Sequence, residues 1–191
     1  MTARPVLQQA DIDRALTRIA HEILESVDKH GVDRQGSDGS DSALILLGIP
    51  TRGVLLAERL AARLESLAPG SASVGALDVT MHRDDLRSQP TRSPSPTRIP
   101  AGGIDGATVV LVDDVLYSGR TIRAALDALT ALGRPKAVRL AVLIDRGHRE
   151  LPIRPDFVGK NLPSSITERV NVRLVETDGE DAVEIDEGGS K

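Results

Sequence analysis

Apolar residues in the first thirty positions recur at helical steps. Ile12, Leu16, Ile19, Ile23 and Val27 stand three or four apart, which predicts a helix from a cap at Asp11 to about Lys29 with one apolar stripe. The pattern then lapses in GVDRQGSDGSDS (31–42), where Gly, Ser and Asp predict a flexible loop. ALILLGI (43–49) is apolar at every position over the length of a strand, as expected for a strand buried on both faces of a parallel sheet. A second helix is expected next, with Val54, Leu55, Ala61, Leu64 and Leu67 inward, and SVGALDVT (73–80) reads as a strand.

From Leu86 to Ala107 no periodicity survives, and four prolines interrupt the chain. A patternless stretch this long inside a compact domain is usually functional or disordered, so 86–107 is expected to be a flexible active-site loop. Order returns with a buried strand at TVVLV (108–112), a helix at TIRAALDALTALG (121–133) closed by Gly133, and a third central strand at AVRLAVLID (137–145). VNVRLVET (170–177) and AVEID (182–186) read as late strands at a sheet edge. Strands alternating with helices predict an α/β fold, one domain spanning 1–191, with a mainly parallel central sheet flanked by helices.

Composition narrows this picture. A length of 191 residues suits one domain with a real core, and 40% apolar with 27% charged residues excludes wholesale disorder. Tyr117 and Phe157 are the only aromatics, so the core must be aliphatic. With no cysteine there is neither a disulfide nor a thiolate metal site. No apolar run approaches the roughly 20 residues of a membrane span, and the N-terminus lacks a signal-peptide core, so a soluble cytoplasmic protein with no membrane partner is expected. The net charge of −4 argues against a general nucleic-acid coat, but it hides a basic segment at 134–160 and an acidic one at 168–187.

The densest chemistry lies in VVLVDDVLYSGRT (109–121). Four apolar residues run into Asp113 and Asp114, and two carboxylates at a buried strand end are costly unless something satisfies them. A ribose diol offers two donors, and a Mg²⁺ held by a diphosphate offers charge. Ser118, Gly119, Arg120 and Thr121 then open a helix, where unpaired N–H groups suit a phosphate. The plain alternative is a strand ending in acids and a Ser capping the next helix. Thr51-Arg52-Gly53 also joins a strand end to a helix start; Arg52 could grip a diphosphate, or the triplet could be a simple turn. MHRDDLR (81–87) stands at the mouth of the long loop, with Arg83 a candidate for the same diphosphate or part of a solvated charge run.

The string 109–121 resembles the phosphoribosyl pyrophosphate motif of the type I phosphoribosyltransferases. Together with RALTRIAHEILE (14–25), LLGIPTRGVLLAERLA (46–61), HRDDLR (82–87) and LAVLIDRGHRELPIRPDFVGKNLP (140–163), it resembles the pyrimidine operon attenuator family of bifunctional regulators and uracil phosphoribosyltransferases over nearly the whole chain. The resemblance implies the type I fold with a small hood at 146–163 and a non-proline cis peptide in the loop of Thr51. It implies conversion of uracil and phosphoribosyl pyrophosphate to UMP and pyrophosphate with Mg²⁺, the metal held mainly through the diphosphate rather than by protein ligands. It assigns the sugar phosphate to Thr51, Arg52, Gly53, Asp113, Asp114, Val115, Leu116, Tyr117, Ser118, Gly119, Arg120 and Thr121, with Arg52, Arg83, Asp113 and Asp114 catalytic. The base falls to Asp145, Arg146, Val158 and Gly159, while Phe157 reads equally as packing.

The same resemblance implies UMP-dependent binding to a pyrimidine-operon mRNA leader through Thr17, Arg18, His21, His148, Arg149, Arg154 and Lys160, and a homodimer or larger assembly. On residue chemistry alone these are ordinary surface groups, and a salvage phosphoribosyltransferase for uracil or another base, without an RNA role, is the alternative. The chain departs from the family pattern at Ser118, where Thr is common, in the insertion at 31–42, and in the Pro- and Ser-rich long loop.

Overall fold

Alternation along the strands decides the layers. In the computed structural model, which describes residues 3–30, 43–84 and 95–186, strand β2 (Leu44–Gly48) sends Leu44 and Leu46 to one face of a sheet and Ile45 and Leu47 to the other. Strands β4 (Thr108–Leu116) and β5 (Ala137–Asp145) split the same way. Because successive side chains point to opposite faces, a strand apolar throughout must be covered twice. Helices α1 (Gln9–His30) and α2 (Arg52–Leu67) cover one face, with Ile12, Leu16, Ile19 and Ile23 as the predicted stripe. Helix α3 (Arg120–Thr130) covers the other with Ile122, Ala125 and Leu129.

The five-stranded sheet is parallel throughout, in the order β3-β2-β4-β5-β6, with β3 at Ala72–Ala76 and β6 at Phe157–Asn161. A second sheet is antiparallel, in the order β1-β8-β7, from Arg4–Gln8, Ala182–Asp186 and Arg169–Arg173. Its Leu7, Val172, Val183 and Ile185 join the core on the α1 and α2 side.

Four expectations change. The late strands do not extend the parallel sheet; they pair with each other and with β1. Their alternating polar and apolar residues fit a sheet with one wet face, where a buried parallel strand would be continuously apolar. The expected strand 170–177 ends at Arg173, and Val175–Asp178 turns into a short helix, α4. On α2 the buried residues are Gly53, Leu56, Ala57, Leu60 and Leu64, whereas Leu67 is exposed and Val54, Leu55 and Ala61 are half-buried. The run VLLA leaves the helical phase open, and the close seating of Gly53 on β4 fixes it. Finally, 95–107 is anchored at points along its length. Arg98 and Ala76 exchange backbone hydrogen bonds of 2.8 and 2.9 Å, and Ile104 and Ala107 are buried. The loop 31–42 and the segment 85–94 lie outside the described residues.

Candidate functional site

Strand order reverses between β2 and β4. From β2 the chain winds outward to β3, and from β4 it winds the other way to β5 and β6. The loops leaving these neighbouring strands therefore diverge, and a crevice opens at their carboxyl ends, where doubly wound sheets hold ligands. Both motifs singled out in the sequence emerge there, Thr51–Gly53 after β2 and Asp113–Thr121 from the end of β4. The bond between Pro50 and Thr51 is cis. A Cβ on Gly53 would lie 2.4 Å from the Val112 carbonyl oxygen, so a side chain there would push α2 off β4.

Strand β4 continues through both acids to Leu116. Asp113 is 8% exposed. Its Oδ1 accepts the Asp114 backbone N–H at 3.0 Å, and Asp114 Oδ1 accepts the Val115 N–H at 2.8 Å. Burial first, and the neighbouring Asp114 second, raise the pKa of Asp113 well above the usual carboxylate range. The Arg83 cation offsets part of this, which places it within electrostatic reach of the pair. An acid pair so poorly neutralised suits a diol, a cation, or both.

Beyond the acids, Gly119 has φ 92°, a left-handed conformation that a side chain would strain, and it starts α3. A Cβ there would also approach the Ile153 side chain to 3.3 Å. The first turn of α3 thus presents N–H groups to the crevice beside Ser118 and Thr121, the geometry of an anion site. Arg120 does not point at that turn. Its guanidinium bridges Asp84 at 2.7 Å and Glu150 at 2.6 Å.

Arg52 is committed as well, forking onto Asp178 of α4 at 3.0 and 3.1 Å. Asp178 lies below the usual carboxylate range because the Leu174 backbone N–H, and then Arg52, favour its charged form. Arg52 and Asp114 line one side of a cavity of about 370 Å³, whose other wall is Val170–Arg173, Asp178 and Glu184. Sequence reading missed this wall. Its only trace was polar Asn171, Arg173 and Glu184 within segments expected only as late strands at a sheet edge. Nearby, Arg59 of α2 forks onto Glu176 and Asp181 at 2.7 and 2.8 Å, holding both acids low and tying the small sheet to α2.

The expected base and RNA residues fall into two groups. Arg146 is 8% exposed and fixed, with its guanidinium 4.4 Å from the Tyr117 ring centre and bonds to Ser164 Oγ and the Ser165 carbonyl. Asp145 holds Arg149 at 2.6 Å. The Val158 and Gly159 carbonyls accept Arg18 Nη2 at 2.8 and 2.7 Å, so α1 meets the expected base strand directly. Thr17, His21, His148, Arg154 and Lys160 are exposed, and His148 Nε2–H donates to the Ser164 carbonyl at 2.6 Å. Arg149 is the exception: its guanidinium turns inward among backbone carbonyls rather than lying on an open basic face.

The chain matches the phosphoribosyl transferase domain family over residues 6–177. It is 66% identical over 195 aligned residues to "Bifunctional protein PyrR" of Leifsonia xyli subsp. xyli, covering 100% of both chains. The protein of that name from Streptomyces coelicolor is 61% identical, covering 95% of this chain and 88% of its own length. The Mycobacterium tuberculosis one is 55% identical, covering 96% and 93%. Among solved structures, the hypoxanthine phosphoribosyltransferases of Trypanosoma cruzi (TM-score 0.65, 18% identity, 95% of each chain) and Staphylococcus aureus (0.64, 16%, 94% and 90%) share its fold.

Proposed function

The chain belongs to the phosphoribosyl transferase domain family, among relatives named Bifunctional protein PyrR, and from that premise we propose that it joins uracil to phosphoribosyl pyrophosphate and binds pyrimidine-operon RNA in response to UMP. The carrying observation is one continuous element. Residues 109–121 place a buried Asp113, the half-buried Asp114 beside it and a helix N-terminus side by side at the point where strand order reverses.

In this reading the 5′-phosphate seats on the first turn of α3, against the N–H groups behind Gly119 and the hydroxyls of Ser118 and Thr121. Asp113 and Asp114 accept the ribose hydroxyls, and this engagement offsets the burial and the repulsion that raise Asp113. The diphosphate reaches Arg52 and Arg83, and Arg52 must then be shared with Asp178. Asn171 and Arg173, on the facing wall, border the same space. The acid pair fits a Mg²⁺ that arrives with phosphoribosyl pyrophosphate, since two adjacent carboxylates offer the hard oxygen donors such a cation takes. When bound, the metal lowers the charge of the departing diphosphate. The bond from uracil N1 to the sugar C1′ forms as the bond to diphosphate breaks, and the N1 proton leaves. No protein nucleophile is required, because positioning and charge compensation account for the rate. The base lies toward Val158 and Gly159, whose strand Arg18 braces.

The regulatory half rests on the relatives and on the exposed Thr17, His21, His148, Arg154 and Lys160, with control by the reaction's own product. A homodimer or larger assembly belongs to the same reading, and light scattering would read it. Incubation with phosphoribosyl pyrophosphate, Mg²⁺ and uracil, hypoxanthine or orotate in turn tests the enzyme. Product from uracil alone is expected, and no product from any base would sink the reading. A gel shift on the leader RNA tests the regulator; turnover without any RNA binding would leave a plain salvage enzyme.

A further inference from the structure

The loop that follows β5 hangs from the candidate phosphate loop. The Arg146 N–H donates to the Leu116 carbonyl at 3.1 Å, and the Glu150 and Leu151 N–H groups both donate to the Ser118 carbonyl, at 3.0 and 3.2 Å. The Ile153 side chain lies over Gly119. Each anchor on the inner side belongs to the segment that opens α3, so 116–119 and 146–153 are hydrogen-bonded and packed as one unit.

Arg149 is the centre of this unit. Its Nε–H donates to the Ile153 carbonyl at 2.9 Å. Nη1 serves the Tyr117 carbonyl at 2.9 Å and the Gly147 carbonyl at 3.2 Å, and Nη2 serves Asp145 at 2.6 Å. A guanidinium has five N–H groups. One on Nε, two on Nη1 and one on Nη2 are engaged, which leaves a single N–H for anything outside. The side chain is 20% exposed. A residue so committed is poorly placed to grip an RNA phosphate and well placed to join the two loops. Arg154 and Lys160, which are exposed, are better placed to meet RNA.

We propose that Arg149 is a positioning residue that couples the phosphate loop to the loop carrying His148 and leading to Arg154, so that an occupied phosphate site sets the geometry of the RNA face. This rests on the proposed function above. A nucleotide phosphate seated behind Gly119 fixes Tyr117 and Ser118. Through Arg149 and the shared Ser118 carbonyl it fixes 146–153 as well. By linkage, RNA bound to that surface must favour UMP by the same factor as UMP favours RNA.

The test is Arg149→Gln in the full chain, with Arg149→Lys beside it. Three quantities are read: the Kd for UMP by calorimetry, kcat and KM for phosphoribosyl pyrophosphate, and leader-RNA affinity with and without saturating UMP. Arg149→Gln is expected to raise the UMP Kd and the KM about tenfold, the scale of one lost charged hydrogen bond, with a smaller change in kcat. The factor by which UMP strengthens RNA binding should fall close to one. Arg149→Lys keeps a cation beside Asp145 and should show the same losses at reduced size, which serves if the Gln variant does not fold. An RNA affinity that drops while the UMP Kd and the strengthening factor stay at wild-type values would make Arg149 a direct RNA contact and overturn the proposal. If the wild type binds no leader RNA, the regulatory reading falls and the coupling with it, while the UMP and KM measurements still decide whether Arg149 positions the phosphate loop.

Discussion

Two clusters of carboxylates sit within this fold and behave oppositely. At the end of β4, Asp113 and Asp114 stand side by side, and burial and mutual repulsion push Asp113 toward its protonated form. Beside α2, Glu176, Asp178 and Asp181 meet Arg52 and Arg59, and all three are held in the charged form. The Asp181 side chain is also largely buried, 5% exposed, yet its bonds to Arg59 outweigh the cost of burial, whereas for Asp113 burial dominates. Direct guanidinium hydrogen bonds hold Glu176 and Asp181 charged, and the Leu174 N–H followed by Arg52 does so for Asp178. The second cluster ties α4 and the segment before β8 to helix α2. In the first, burial outweighs the Arg83 cation, the kind of perturbation that clusters at functional sites.

The largest test of this contrast is Asp114→Asn, together with Asp113→Asn. Each is expected to cut uracil turnover by roughly ten- to a hundredfold, since a charge-assisted hydrogen bond contributes about 1.5–3 kcal/mol. Both should melt no lower than wild type. Steady-state rates beside a melting curve decide it, and near-normal turnover in both variants would end the assignment.

Arg59→Met probes the other cluster. Removing one partner of a largely buried pair should cost on the order of 2–3 kcal/mol of stability, less than for a fully enclosed pair because Glu176 is partly wet. Urea unfolding at pH 7 reads this. Glu176 and Asp181 have lowered folded pKa values, so their contribution is present above the unfolded carboxylate value and is lost as pH falls through the folded one. The deficit of Arg59→Met should therefore shrink below about pH 4; a deficit equal at pH 3 and pH 7 would contradict the pairing.

Exposed cations should behave differently again. Arg154→Gln is expected to weaken leader-RNA binding by about 1–2 kcal/mol and to lower the salt slope by about one. An unchanged slope in a salt titration would remove Arg154 from the face.

The smallest effect is a matter of sign. Asp113 holds its proton more tightly folded than unfolded, so it adds nothing below the unfolded carboxylate value and destabilises increasingly as pH rises above it. The melting temperature of Asp113→Asn minus that of wild type should thus grow more positive from pH 4 to pH 8. A difference that shrinks over that range would show that Asp113 is already satisfied in the free protein.

The acid pair was legible in the sequence because its chemistry is local. One strand end, one glycine and one helix start carry it, and contiguous residues announce all three. The central strands were legible for the same reason, being apolar at every position. Long-range partners were not. Nothing near Arg4–Gln8 says that its neighbour is Ala182–Asp186, and nothing near Arg52 names Asp178. Arg149 looked like a surface cation because its charge is plain in the sequence, while the carbonyls it faces come from two separate loops. The phase of α2 was lost in an unbroken apolar run, where any rotation by one residue buries something greasy.

The pairing of β1 with β8 has a bearing on the order of events as the chain is made. Strand β1 spans residues 4–8, yet its partner is residues 182–186. The parallel sheet, with both of its diverging loops, can assemble while β1 still waits. Only when β8 arrives can the three-stranded sheet close and bring β7 up to the cavity beside Asp114. Closing so long a loop comes late in folding, since its entropy cost precedes the contacts that repay it. A chain ending before Ala182 would therefore carry the acid pair and the helix start but lack the wall of the cavity that faces Arg52 and Asp114.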